Sequence, residues 1–465
     1  MSIGLASHLK AVDAFHAARA HYHFRTSLEH FGSKEVRDRK ELQPLWRDLN
    51  ERKYLLGNLW GWRNDLADNG IAIDLNFVVN VAGNPVGGRE QGITELNSTG
   101  LGFGIDFEKL ADVEGLTFFS SLSVRSGTSL SLSKIGNVIN VQQLYGNESY
   151  RLVNLYLEQV LLDQQVGIKV GRIAQFDDFA HAGAFGYYMN NAFDGQPIGF
   201  FFMGPFTAYP VTTWGALVRG GILTGRREGF YGMVGAYGAD DDLPNVDNHG
   251  TNFSFNFNKG ANLMAEVGYK FDWTSYGEGN PGKYALGGWW FTGPFENWNG
   301  GRTHGAGGIY FLIHQNLWRE SDFAPQDKPP ELSVRNLWGT TEDFLKNVEG
   351  LFFWSTAQFA SDTKTAASDW FYNGGFYYRG LLPQRDRDVL SFGLAYLSFS
   401  NDIAQSQIDR GRPPQDYEME LELSYRYVVN DFFYLQPNIQ GIINPGGAGT
   451  IDHALVLGLQ FQVTF

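Results

Sequence analysis

Leu455-Val-Leu-Gly-Leu-Gln-Phe-Gln-Val-Thr-Phe465 decides the fold. Leu455, Leu457, Leu459, Phe461, Val463 and Phe465 alternate with Val456, Gly458, Gln460, Gln462 and Thr464. Side chains on a strand alternate between faces, so this stretch has one continuous apolar face and one small, mostly polar face. Such a strand belongs to a half-buried sheet. The aromatic residue at position 465 suits the interfacial girdle of an outer-membrane barrel, and the reading is a transmembrane sheet.

The same period recurs from Ile71 onward. Ile71, Ile73, Leu75, Phe77, Val79 and Val81 alternate with Asp74, Asn76, Val78 and Asn80. Leu101, Phe103, Ile105 and Phe107 do so with Gly102, Gly104, Asp106 and Glu108. Ala261, Leu263, Ala265, Val267 and Tyr269 alternate with Asn262, Met264, Glu266, Gly268 and Lys270. Met419, Leu421, Leu423, Tyr425 and Tyr427 stand against Glu418, Glu420, Glu422, Ser424 and Arg426. Three carboxylates and a guanidinium on one face are costly in a dry core, so that face is expected to meet water, outside or in a wet lumen.

Seventeen strands are expected, at 71–81, 100–107, 115–125, 150–160, 166–172, 212–223, 229–238, 251–257, 262–272, 283–291, 306–315, 350–360, 370–378, 388–399, 416–428, 432–442 and 453–465. Single-chain barrels have an even number, so one is false and about sixteen are expected. The early links alternate long (82–99, 126–149, 173–211) and short (108–114, 161–165, 224–228), whereas 400–415 and 429–431 fit the opposite phase. The false strand is therefore expected between Lys283 and Gln415. The link at 173–211 is aromatic and glycine-rich, and a link of that length in a compact domain is normally functional. Folded inward, it would narrow the lumen. The fold class is thus all-β: a single antiparallel transmembrane barrel, residues 54–465, with a short helical extension before it.

That extension, residues 1–53, has helix-like spacing at Leu9, Val12, Phe15, Ala18 and Tyr22 and a charged run over 34–41. It reads as one or two helices outside the hydrocarbon layer, a solvated periplasmic extension, with a plug or assembly contact as the alternative. No compact apolar leader opens the chain, so a processed form of an exported protein is expected.

Composition narrows the function. No stretch has the roughly 18 uninterrupted apolar residues that a spanning helix needs. There are no cysteines, which removes disulfides, thiolate catalysis and cysteine zinc sites. A net charge of -14 speaks against nucleic acid as a partner. No H-E-x-x-H, P-loop or G-x-S-x-G pattern occurs, and no cofactor or metal is expected. Asp240-Asp-Asp242 with Asp247 has carboxylates enough for calcium but not the spacing of an EF-hand loop, and a solvated surface loop is the reading.

Four blocks carry a family likeness. Leu56-Gly-Asn-Leu-Trp-Gly-Trp-Arg-Asn-Asp-Leu-Ala-Asp-Asn-Gly-Ile71 resembles the G-D-W-G-G-x-R-x-x-L-A-D-x-G-I opening of OprB-type carbohydrate-selective porins. Gly171-Arg-Ile-Ala-Gln-Phe-Asp-Asp-Phe-Ala180 is similar to that family's G-R-x-x-x-x-x-D-F-A segment. Gly204-Pro-Phe-Thr-Ala-Tyr-Pro-Val-Thr-Thr-Trp-Gly215 and Tyr378-Arg-Gly-Leu-Leu-Pro-Gln-Arg-Asp-Arg-Asp-Val389 also resemble family blocks. The likeness runs in order from Tyr54 to Phe465. Asn58, the inserted Leu59 and Trp62 depart from the opening block, and the segment from Glu320 to Asn347 looks like an insertion. The resemblance implies a monomeric barrel of the Gram-negative outer membrane that passes sugars by diffusion through a constriction.

A sugar channel needs polar groups that replace the hydration of hydroxyls and aromatic faces that stack on the sugar. Parity turns Arg125, Arg219, Asn154, Tyr156 and Glu158 toward the lumen, because a charge on the lipid face at mid-bilayer costs roughly 2–4 kcal/mol. Arg172 shares parity with Ile168 and Val170, so it is expected at the strand's end or in the long loop, with the loop base favoured, reaching the constriction or pairing with Asp177 or Asp178. Arg63, in the opening block, has a pore role or a packing role at the periplasmic mouth. Phe185, Tyr187, Tyr188 and Phe193 are candidate platforms, with packing of the loop on itself as the other reading. Trp214, Trp289, Trp290, Trp318, Tyr377 and Tyr378 fit girdle and platform equally. Solvated wall without solute contact is the plain alternative for each lumen charge. Two other classes remain open: an outer-membrane hydrolase using a pair such as Glu158 and Glu266, and a soluble β-rich carbohydrate-binding protein.

Overall fold

Sixteen antiparallel strands close into one barrel in the computed structural model, which describes residues 52–145, 148–240, 243–255, 257, 260–273, 279–320, 334–339 and 348–465. They are β1 Ile71–Val86, β2 Gly92–Asp106, β3 Leu116–Gly127, β4 Ser149–Leu161, β5 Val166–Ile173, β6 Thr213–Leu223, β7 Glu228–Gly238 and β8 Ala261–Phe271, then β9 Gly282–Glu296, β10 Arg302–Arg319, β11 Gly350–Ala360, β12 Ser368–Arg379, β13 Val389–Phe399, β14 Tyr417–Val428, β15 Phe433–Ile443 and β16 Ala454–Thr464. Each pairs with its neighbours in sequence, and β1 pairs with β16, Val79 opposite Phe461 and Asn80 opposite Gln460. Closure leaves no unpaired edge, the condition for β-structure inside a bilayer. Among the described residues four short α-helices accompany the strands: α1 Trp62–Asp68, α2 Phe107–Ala111, α3 Val334–Trp338 and α4 Asn401–Asp409.

The two faces of the closing strand differ as the alternation requires. Leu455, Leu457 and Leu459 are exposed, whereas Val456, Gln460 and Gln462 are buried against the bore. The same outward apolar face continues around the ring through Leu122, Val170, Val218, Val234, Val267 and Ile309, all exposed. A continuous apolar belt of that kind is unfavourable in water and suits hydrocarbon. The long link after β5 folds inside the ring, so much of the core lies within the barrel and is built by residues 174–212.

The structure corrects two expectations. The false strand is 251–257: Thr251 to Phe255 and Phe257 form no strand, and every strand expected between Lys283 and Gln415 exists. Phe253, Phe255 and Phe257 alternate because they pack at the rim, where Phe255 stacks on Trp214 at 4.5 Å. The phase error arose because the 320–349 connection is long yet lies at the end where the other connections are short. The expected long link at 82–99 is a hairpin, since β1 runs to Val86 and β2 begins at Gly92. Most of the expected extension, residues 1–51, and the pair Asp241 and Asp242 lie outside the described residues.

At the short-turn end, α1 clasps the seam between first and last strands. Leu55 N–H donates to the Thr464 carbonyl at 2.9 Å. Arg63 donates from Nη2 to the Phe465 carbonyl at 2.8 Å, from Nη1 to Ile73 at 3.1 Å and from Nε to Gly57 at 3.3 Å. Its guanidinium also lies 3.9 Å from the centre of the Tyr54 ring.

Candidate functional site

The alternation of β4, β5 and β6 turns Glu158, Lys169 and Arg219 into the bore, where they meet Asp178 of the inward loop. Lys169 Nζ lies 2.7 Å from Asp178, and Arg219 Nη1 donates to the same carboxylate at 2.8 Å. Arg219 Nη2 pairs with Glu158. Two cations and two anions thus share one buried cluster, and mutual pairing is what makes burial of four charges tolerable. The cluster fastens the start of the loop to the wall.

Across the bore, β14 holds the β3–β4 link and the inward loop, and reaches the β15–β16 link as well. Glu418 accepts from the backbone N–H groups of Ile139 at 2.8 Å and Val138 at 2.9 Å, and from Gly446 at 2.6 Å. Glu420 accepts from Asn137 at 2.9 Å and from Asn190. Glu422 accepts from the N–H groups of Met189 at 2.8 Å and Asn190 at 2.7 Å. All three carboxylates are 0% exposed, which corrects the expectation that they need water: loop donors replace it. The loops also bond each other, Gln143 N–H to the Met189 carbonyl at 2.8 Å and Asn191 N–H to Asn140 at 2.9 Å.

Between these anchors the inward loop is an aromatic solid. Phe176, Phe200 and Phe206 pack together with ring centres 4.5 to 5.3 Å apart, and Phe200 and Phe206 reach Trp289 on β9. Phe193 and Tyr188 pack on each other and on Trp354 of β11, whose indole N–H donates to the Tyr188 hydroxyl at 2.9 Å. The wall is cut back to admit them: a Cβ on Gly393 would lie 3.0 Å from the Phe193 ring. Glu266 accepts from Ala180 N–H at 2.8 Å and from the hydroxyls of Tyr231 and Tyr310 at 2.7 and 2.6 Å, fixing the loop from β8.

The residues that sequence singled out therefore separate by place. Glu158, Asp178 and Arg219 come together. Arg172 lies within β5 rather than in the loop; it donates to the Gly250 carbonyl and stands 5.4 Å over Phe253, while Asp178 is held by Lys169 and Arg219. Asp177 is buried beside Asp178 at the loop's start. Phe193 is fully buried and Tyr187 half-buried, its ring 5.0 Å from Tyr377 and 4.8 Å from the Arg426 guanidinium. Trp289 and Tyr377 face inward, and Trp290 and Trp318 outward. Arg63 lies at the seam.

Arg125 is different. It is 2% exposed, donates from Nη1 to the Tyr145 carbonyl at 3.3 Å, and has Tyr209 beneath it at 5.7 Å. Its Nε and Nη2 have no hydrogen-bond partner among the described residues. Ser98 stands opposite in register, its hydroxyl likewise unpartnered. Asn80 and Gln460 face each other across the seam with both amide atoms of Asn80 and Oε1 of Gln460 unpartnered, and Asn76 Oδ1 continues the row. Sequence reasoning missed Ser98 and Lys169; their inward parity on β2 and β5 was the available signal.

Comparison with known proteins agrees with this geometry. A family model described as carbohydrate-selective porin, OprB family, matches residues 90–465. Porin B of Pseudomonas aeruginosa is 26% identical over 444 residues, covering 89% of this chain and 91% of that protein. Putative porin QuiX of Acinetobacter baylyi is 25% identical over 442 residues, 89% of this chain and 94% of that one. The high-pH structure of Pseudomonas putida OprB shares the fold, with a TM-score of 0.77 and 24% identity over 89% of this chain and 99% of that chain. A closed barrel narrowed by its own buried loop, matched by that model over most of its length, belongs to the OprB family of carbohydrate-selective porins, sugar channels of the outer membrane.

Proposed function

We propose that sugars cross by passive diffusion over the polar row that β16, β1, β2 and β3 turn inward, with Arg125 as its strongest donor. The observation that carries this reading is the set of unpartnered polar atoms on Arg125, Ser98, Asn76, Asn80 and Gln460. Alternating donors and acceptors on a buried wall match vicinal hydroxyls, which offer both functions. Exchange of hydration for such contacts, with no charge pair formed, lets a neutral sugar enter and leave.

In this reading the other candidates act around the route. Glu158, Asp177, Asp178 and Arg219 position the loop, Tyr187 and Phe193 fill it, Arg172 holds the rim loop, and Arg63 secures the seam. No chemical step is assigned: Glu158 is paired with Arg219 and Glu266 is saturated by Ala180, Tyr231 and Tyr310. The bore, both loops and the row come from one chain, which supports a monomer as the working unit.

The test uses protein reconstituted in liposomes. Arg125→Ala should slow swelling with neutral sugars several-fold while salt conductance is retained, since pore-lining donors tune selectivity. Sugar flux and selectivity unchanged from wild type would remove Arg125 from the route. Release of reducing sugar from oligosaccharide would favour a hydrolase instead.

A further inference from the structure

Short turns face the periplasm in outer-membrane barrels, and at that end the connection from β10 to β11 spans residues 320–349. Its described part, α3 with Gly339, lies inside the barrel mouth. Leu337 and Trp338 are 0% and 1% exposed. The Trp338 indole N–H donates to the Gln164 carbonyl of the β4–β5 turn at 2.9 Å. From β8, Lys270 Nζ donates to the carbonyls of Asn336 and Gly339, each at 3.0 Å.

The wall is shaped to receive it. Gly167 on β5 and Gly221 on β6 occupy inward positions, and neither has a backbone conformation that demands glycine. A Cβ at Gly167 would stand 3.0 Å from the Trp338 ring, and one at Gly221 would stand 3.1 Å from Leu337 Cβ. A five-residue helix has no stability of its own, so this notch and the Lys270 clamp are what hold it. On its inner side, Trp338 lies 4.8 Å from the guanidinium of Arg219, the residue that pairs with Asp178 of the inward loop. The helix therefore sits directly beneath the loop, between the constriction and the periplasm.

We propose that α3 is a second, exit constriction: Trp338 and Leu337, buried in the notch, seat the helix, and its open side at Val334, Arg335 and Asn336 sets the largest sugar that passes from the lumen to the periplasm. The inference rests on the channel reading above. The lumen is narrowed from the outer side by residues 174–212 and from the inner side by α3, and a solute must clear both.

Swelling and single-channel conductance with mono-, di- and trisaccharides test it. Trp338→Ala, which removes the anchor, and independently Gly167→Val, which fills the notch and unseats the helix, should speed di- and trisaccharide entry by about two-fold or more relative to monosaccharide, because bore width sets size selectivity. Wild-type size dependence in both variants, each migrating as a folded heat-modifiable barrel, would overturn the proposal. Gly221→Cys with Leu337→Cys supplies a second check in a chain without cysteine, since their Cβ atoms would stand 3.1 Å apart and a shift of a few tenths of an ångström reaches the roughly 3.5–4.5 Å of a disulfide. Spontaneous crosslinking is expected, and failure to crosslink would place α3 elsewhere. If wild-type protein admits no sugar, the channel reading itself fails, a result distinct from any of these.

Discussion

Arg219 of the barrel wall and Asp178 of the inward loop meet at 2.8 Å with neither charge open to solvent. Removing Arg219 leaves Asp178 with Lys169 alone and takes the guanidinium from Glu158, and breaking a buried pair costs up to about 3–5 kcal/mol. Arg219→Ala should therefore free the start of the loop from β6. Limited proteolysis should cut within 174–212 faster than in wild type, and single-channel current should become noisier. Protection equal to wild type would show that Lys169 alone suffices to hold Asp178.

Glu418 replaces water for three backbone donors of two loops. Glu418→Ala leaves the N–H groups of Val138, Ile139 and Gly446 without their acceptor, at about 1–3 kcal/mol for each buried orphan. Conductance should rise as residues 128–145 lift from the wall, and Glu418→Gln should fall between the two. A conductance unchanged in Glu418→Ala would mean that Glu420 and Glu422 hold the loops alone.

The aromatic packing around Phe200 makes the loop solid. Phe200→Ala removes contacts to Phe176, Phe206, Trp289 and Tyr310, and a buried Phe→Ala change costs about 3–5 kcal/mol. The expected readout is accelerated hydrogen exchange of loop amides while the strand amides keep their protection. Uniform exchange over both would instead indicate a whole-barrel effect.

Arg63 spends its guanidinium on three carbonyls of the seam. Arg63→Ala should lower the temperature at which the folded form is lost on a heat-modifiability gel, consistent with about 1–2 kcal/mol for charged hydrogen bonds that are partly exposed. Sugar size selectivity should stay at the wild-type value. An altered selectivity at unchanged stability would return Arg63 to the pore.

Strand parity was legible because lipid and bore impose opposite polarity on successive residues, and Arg125, Glu158 and Arg219 were placed inward by that rule alone. What parity does not carry is the identity of the partner across the bore. Glu418, Glu420 and Glu422 read as wetted, because most of the donors that satisfy them lie more than 200 residues away in the chain. Phe253, Phe255 and Phe257 imitate a strand because a rim segment packed on Trp214 sorts its rings from its polar groups with the same period. The insertion at 320–347 was visible as extra length, but the docking of Trp338 depends on glycines of β5 and β6, and glycine at an inward strand position gives no sign of what fills it.

The carboxylates of β14 also order events in time. Residues 137–139 and 189–190 are synthesised some 230–280 residues before the strand whose side chains hold them. The inward loop is already held at its start by Lys169, Arg219 and Glu266, but residues 137–139 and 189–190 lack their carboxylates until the last quarter of the chain has entered the sheet, and contacts of such long range form late. The far side of the constriction is therefore fixed last, when the wall is nearly complete.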